Sequence, residues 1–368
     1  MKKYIIILFA GIHLQSWGQN FIKSTVPCND ALMQKTPGRW IKDKNNVYAS
    51  GLNKAQIQEM LNRLNNIQLL VLKTYPNPIG VDATWFPSVS EELFGSQLKF
   101  SKTTDGESKY TLVNGIPVGY SSYNCGFFAY ACGRNQYEIM TGWPGETTTH
   151  LFVFANNLNE FFMDDQLEPE LREAMCVDGR PIRMMPTIKR MWKGYPLYYQ
   201  RDSSWHWVLL HRDGMLPYIP VTRKQYLDRC IDYISKFYDP KIKSLESIPD
   251  KEQRDELVKN YRKQKEDQLK HYKDELEATT AAKLLDTPAI IPLYLFDISN
   301  NPIFSTEETG GHMLVTENPA YIRKDLPKYM PQFIVMTWTC ADWKPQQEVC
   351  KAVEEYFPIE KLQAMIDK

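Results

Sequence analysis

The sequence predicts an α+β fold: mostly antiparallel sheets packed on helices, with one long charged helix on the surface. Three observations predict it. Helical periodicity is confined to a few segments of the 368-residue chain. Between them lie runs of β-branched and aromatic residues separated by Gly, Asn and Pro. Those runs follow one another directly, without a helix after each, which suits hairpins better than parallel crossovers. The organisation that follows is a segment 1–19 to be removed, an N-terminal lobe 20–180, and a C-terminal lobe 181–368.

The chain opens MKKYIIILFAGIHLQSWGQN. Two lysines precede an apolar run from Tyr4 to Leu14, about half the length a bilayer span needs, with small and polar residues after it. That pattern is a signal peptide, and it predicts an exported protein: periplasmic, cell-surface or secreted. Basic and acidic residues number 44 each. Removing residues 1–19 takes away Lys2 and Lys3 and no acid, which leaves a net charge of −2. A chain with no excess of positive charge is a poor nucleic-acid binder. No later segment is long and apolar enough to predict a transmembrane helix. Hydrophobic residues make up 43% of the chain, enough for a sizeable core. The seven cysteines are Cys28, Cys125, Cys132, Cys176, Cys230, Cys340 and Cys350. Export would expose them to an oxidising compartment. Cys125 with Cys132 and Cys340 with Cys350 are the pairs nearest in sequence, but connectivity stays open and one thiol is left over.

The first helix spans Lys54 to about Lys73. Asn53 and Gln56 have capping-box spacing, Ile57, Met60, Leu61, Leu64, Ile67 and Val71 form one face, and Pro76 and Pro78 forbid continuation. Strands follow at 110–113, 116–123, 127–140 and 151–155. Beyond CVDGRPIRMMP, the stretches TIKRMWKGYPLYYQ and SSWHWVLLHRDG read as strands of an aromatic hairpin. Thr222 and Gln225 form a second capping box, and Asp239-Pro240 is expected to end that helix. From Lys241 to Asp286, 22 of 46 residues are charged, eleven of each sign. Asp255–Lys259, Glu266–Lys270 and Lys273–Glu277 have i,i+4 spacing. Val258, Tyr261, Leu269, Tyr272 and Leu276 make a thin apolar stripe, too interrupted for a coiled coil. The charged helix is therefore placed at about 250–285. TPAIIPLYLFDI and PQFIVMTWT then read as buried strands, and a last helix falls near Gln346 to Tyr356.

Three constellations bear on function. Glu146 to Asn156 and Glu308 to Asn318 share Glu, Thr, His, Val and Asn at matched positions, placing His150 and His312 at strand starts. The likeness does not extend on either side, so it is no duplication. Neither segment supplies the spacing or third ligand of a metal site. YNCGFFAYACGRN, with GGHMLV farther on, resembles the nucleophile and histidine segments of cell-wall cysteine peptidases. The resemblance implies a Cys–His hydrolase with Cys125 as nucleophile and His312, or His150, as base. Asn124 stands where that family has aspartate, and the serine before Gly126 is missing. The third is aromatic. Nine tryptophans and 21 tyrosines are unusually many. Trp192, Tyr199, Trp205 and Trp207 cluster in the predicted hairpin, and exposed rings of this kind stack on sugars; a core of large aromatics is the ordinary alternative.

No phosphate-cradling loop, dinucleotide fingerprint, serine elbow or zinc-binding cysteine pair occurs, so no cofactor and no metal is predicted. Finally, CNDALMQKTPGRW, PYIPVTRKQYL and NPAYIRKDLPKYMPQF resemble stretches of uncharacterised exported proteins of Bacteroidota-type bacteria. That resemblance implies export and no particular activity. The leading expectation is non-enzymatic binding of a protein or glycan partner in the cell envelope or outside it. Its alternatives are the hydrolase and the carbohydrate-binding hairpin.

Overall fold

Asn53 accepts the backbone N–H of Gln56, whose side chain accepts from Asn53 N–H in return, so helix α1 (Lys54–Thr74) starts where the capping box predicts. The computed structural model describes residues 20–102, 108–133, 135–141, 148–162, 176–199, 204–292 and 302–368. The predicted signal peptide 1–19 lies outside the described residues, as do Glu146 and most of the apolar run after Pro292.

The buried face of α1 rests on a nine-stranded sheet: β1 (Trp40–Lys42), β2 (Asn46–Val47), β3 (Val81–Phe94), β4 (Ile116–Ala129), β5 (Thr149–Ala155), β6 (Thr187–Trp192), β7 (Tyr195–Tyr199), β8 (Trp205–His211) and β9 (Phe333–Thr339). In space the order is β6-β7-β8-β9-β5-β4-β3-β1, with β2 also on β3. Only β1 and β2 run parallel to their neighbour. The class is α+β with antiparallel pairing dominant. The sheet draws strands from both sides of residue 180.

Three local readings change. The strands expected at 116–123 and 127–140 are one strand to Ala129, then short pieces at Ala131–Cys132 and Glu138–Thr141. Asn124 does not turn the chain, because its side-chain amide donates to Ser122 Oγ at 2.9 Å from within the ladder. Gly126 does not either: a Cβ there would sit 2.9 Å from the Phe128 ring, so the glycine serves close approach. The sequence TIKRMWKGYPLYY is itself a hairpin of β6 and β7, turning at Lys193 and Gly194, both with positive φ. And β3, fourteen residues paired along its whole length with β4, has no counterpart among the predicted strands.

One face of the sheet is sealed by helices. Trp338, Leu151, Cys125 and Trp85 lie in register across it. They bury against α1, α4 (Lys344–Tyr356) and α5 (Ile359–Gln363) through Leu64, Val71, Val349, Val353 and Leu362. The other face is covered in part by a small antiparallel sheet centred on His312–Glu317. Phe94, Phe154, Val315, Tyr321 and Phe333 fill that seam.

Behind the small sheet stands a helical hairpin. Thr222 and Gln225 form their capping box at the head of α2 (Arg223–Leu245). Pro240 does not end α2, contrary to expectation. The helix runs on past it to Leu245, with Ile242 packed on the core and Lys241 over the Phe237 ring. Asp250 caps the charged helix α3 (Lys251–Ala281), which lays Tyr261, Leu269, Tyr272 and Leu276 against α2. Its ion pairs differ from those anticipated: Lys270 meets Asp274, and Lys265 reaches across to Asp239.

Two disulfides form, Cys28–Cys132 and Cys340–Cys350. The short pairing of Cys132 with Cys125 is therefore not made, because Cys125 points into the helix-covered core. Among the described residues, no helix is long and apolar enough to cross a membrane.

Candidate functional site: an aromatic face on the central sheet

Alternation along paired strands decides which side chains can meet. The sheet face away from α1 carries, in one row, Trp207, Thr337, Phe152, Asn124 and Phe86. The next row outward holds Trp205, Thr339, His150, Gly126 and Thr84. None of these side chains is an acid, a lysine or an arginine.

The rings touch. Trp205 stacks on Trp207 at 6.1 Å and on Phe152 at 5.9 Å. His150 lies parallel to Trp205, with planes 5° apart and centroids 6.3 Å apart, and leans on Phe152 at 5.2 Å. Phe152 continues the strip to Phe154, and Phe154 to Tyr120. Phe86, Asn124, His150, Phe152 and Trp205 are half-buried. Trp207 is deeper, its indole N–H donating to Glu160 O at 2.9 Å.

Small side chains between the rings set their footing. Thr339 Oγ1 accepts the His150 backbone N–H at 2.8 Å and donates to Thr148 O. Thr337 sits between Trp207 and Phe152, is 2% exposed, and its hydroxyl has no hydrogen-bond partner among the described residues. Burial lowers the His150 pKa, which favours the neutral imidazole at neutral pH.

The residues singled out from sequence divide sharply. Trp205 and Trp207 share this face, as strand alternation predicts. Trp192 and Tyr199 do not join them. Trp192 is core on the helix side, 4% exposed, packed on Trp338 and donating to Glu354 O. Tyr199 pairs with His206 on that same helix side and lies under Lys189.

The three residues of the hydrolase alternative are not brought together. Cys125 is 1% exposed on the helix face, and burial pushes its thiol up to about 12. His150 belongs to the opposite face of the neighbouring strand. His312 is 3% exposed in the small sheet, its Nδ1 at 3.0 Å from Met185 O. A buried thiol of raised pKa is the reverse of an activated nucleophile.

Phe152, Phe86 and Asn124 escaped the sequence reading although they complete the face. The signal was the alternation in THLFVFA and in VDATWFPSV. In the first, each face carries one polar residue among apolar ones, and in the second Phe86 is the one ring on an otherwise polar face, which hides which side is lined by rings. Among the described residues, no group of histidines, cysteines and carboxylates could hold a metal ion. Comparison with protein families, with curated proteins and with solved structures finds no match.

Proposed function

We propose that this protein is an exported binding protein that receives a neutral saccharide on the aromatic face of its central sheet. One observation carries the reading: His150, Phe152 and Trp205 form a contiguous set of half-buried rings, footed on the buried Trp207, with no charged side chain in their two rows. Aromatic rings gain most from ligands with a flat apolar side, and polar atoms at the rim fix orientation. A pyranose presents C–H groups on its faces and hydroxyls at its edge. The Asn124 carbonyl oxygen and the His150 imidazole supply polar atoms suited to such an edge. A charged ligand would be desolvated here without a counter-charge in either row.

Two disulfides and the lysine-led apolar N-terminus support export. Expression of the full chain in a bacterial host, followed by N-terminal sequencing of the extracytoplasmic product, should find a new terminus near Asn20. An intact Met1 in the cytoplasm would contradict it.

The binding reading is tested by titrating glucose, mannose and N-acetylglucosamine trisaccharides against tryptophan fluorescence. Saturable change is expected with at least one of them, and Trp205→Ala should weaken it about fivefold or more, one stacked ring being worth about 1 kcal/mol. Thermal unfolding of the variant separates lost contact from lost fold. Undiminished binding by a folded Trp205→Ala protein would sink the proposal.

A further inference from the structure

Thr337 is the odd residue of the aromatic face. It lies on β9, a strand paired on both sides, by β5 and by β8, so its backbone is committed to the ladder. On that strand Val335 and Phe333, which point to the same side, are wholly buried and apolar. Valine has nearly the shape of threonine, so a wholly apolar surrounding would be served as well by valine at 337. The hydroxyl is nevertheless there, 2% exposed as a residue and without a hydrogen-bond partner among the described residues. The contrast with Thr339, two residues on, is direct: its Oγ1 both accepts from His150 N–H and donates to Thr148 O. Buried polar atoms in folded proteins are satisfied almost without exception, and an exception asks what satisfies it.

The register supplies an answer. Thr337 stands between Trp207 and Phe152, directly beneath the ring set that forms the proposed sugar platform. Neither flanking side chain offers the hydroxyl a partner. The indole N–H of Trp207 is already engaged with Glu160 O, and Phe152 has no polar atom.

We infer that the Thr337 hydroxyl is a specificity-determining contact of this site, hydrogen-bonding a hydroxyl of the bound sugar that reaches it when the Phe152 and Trp207 side chains, which close it off in the ligand-free fold, part. This rests on the saccharide reading above and adds a direction to it. The ligand is held face-on by Trp205 and end-on by Thr337, so a sugar whose inward hydroxyl is absent or blocked is rejected. Rejection of that kind is steeper than rejection by an apolar pocket, because a hydroxyl is left unpaired on one side.

The test uses Thr337→Val and Thr337→Ser in the full-length exported protein, with the same three trisaccharides as probes. Thr337→Val should raise the melting temperature of the ligand-free protein, since it removes an unsatisfied buried hydroxyl without changing volume. It should also weaken binding of the probe that the wild type accepts by about tenfold. Thr337→Ser should keep the affinity within about twofold. Two results would overturn the inference alone: wild-type affinity in Thr337→Val, or a lowered melting temperature in Thr337→Val that Thr337→Ser restores. The second would mean the hydroxyl already has a partner in the fold. Failure of the wild type to bind any of the three probes would overturn the saccharide reading and this inference with it.

Discussion

At the scale of single residues, burial decides what each polar group can do. Cys125 is in the right sequence company for a nucleophile, but one step of strand register turns it away from His150 and into the helix-covered core. Native protein treated with a maleimide should therefore leave the Cys125 peptide unmodified, and denaturant should expose it to rapid labelling. Rapid labelling of folded protein would restore the thiol to consideration. Glu317 shows burial acting on a carboxylate. Its Oε2 accepts the Gly95 N–H at 2.7 Å across the seam between the two sheets. Burial raises its pKa all the same, outweighing that hydrogen bond and the nearby Arg183. A carboxyl with a raised folded-state pKa holds more protons folded than unfolded, so its share of stability falls as pH rises through that window. Glu317→Gln, whose amide oxygen can still accept from Gly95, should melt higher than wild type at pH 7. The difference should vanish below about pH 4, where the carboxyl is protonated in both states.

At the scale of elements, helices were legible and strands less so, for a physical reason. Asn53 with Gln56 and Thr222 with Gln225 announce α1 and α2 because capping is a local bargain between residues three apart. Strand β3 announces nothing local. It contains Pro87, Glu91 and Glu92, and it is extended because β4 pairs with it at every residue. Periodicity could not show that Gly126 was a close approach and not a turn, since its neighbour Phe128 belongs to the same strand. The candidate site was half legible on the same grounds. Trp205 and Trp207 are two apart on one strand and had to share a face. Phe152 reaches them only because β5 and β8 flank β9. Pro240 is the opposite failure, a strong local signal overruled by its surroundings. Lys241 over Phe237 and Ile242 on the core hold α2 together past a residue that donates no hydrogen bond. Pro240→Ala should thus stabilise the protein, by roughly 1–3 kcal/mol given the cost of proline inside a helix. Urea unfolding of the two proteins measures it, and a loss of stability would mean that Pro240 shapes α2 in a way the core requires.

At the scale of the whole molecule, the aromatic face is assembled from five strands on both sides of the helical hairpin, so chain closure matters to it. Strands β3, β4 and β5 come from the first half, β8 precedes the hairpin, and β9 follows it. The disulfides constrain this closure very unequally. Cys28–Cys132 joins residues 104 apart, and Cys340–Cys350 residues only 10 apart. If cross-links act chiefly on the entropy of the unfolded chain, the first contributes about 4.7 kcal/mol and the second about 2.7 kcal/mol. The long cross-link also anchors a small satellite core, in which Met33, Tyr130 and Ile139 pack beside Cys28 at the margin of the sheet. The short one ties the end of β9 to α4, directly behind the ring-bearing face. Paired serine substitutions separate the two contributions. Replacing Cys28 and Cys132 should cost more global stability in urea, with any change in folded-state fluorescence coming from Trp343, which packs against the same satellite core and is silenced in a Trp343→Phe background. Replacing Cys340 and Cys350 should cost less and shift the fluorescence of the folded state, because Trp338 lies two residues before Cys340, stacks on His206 and packs at a tilt against Trp192. If the short disulfide proved the more costly to remove, its worth would lie in holding α4 on the sheet and not in loop entropy.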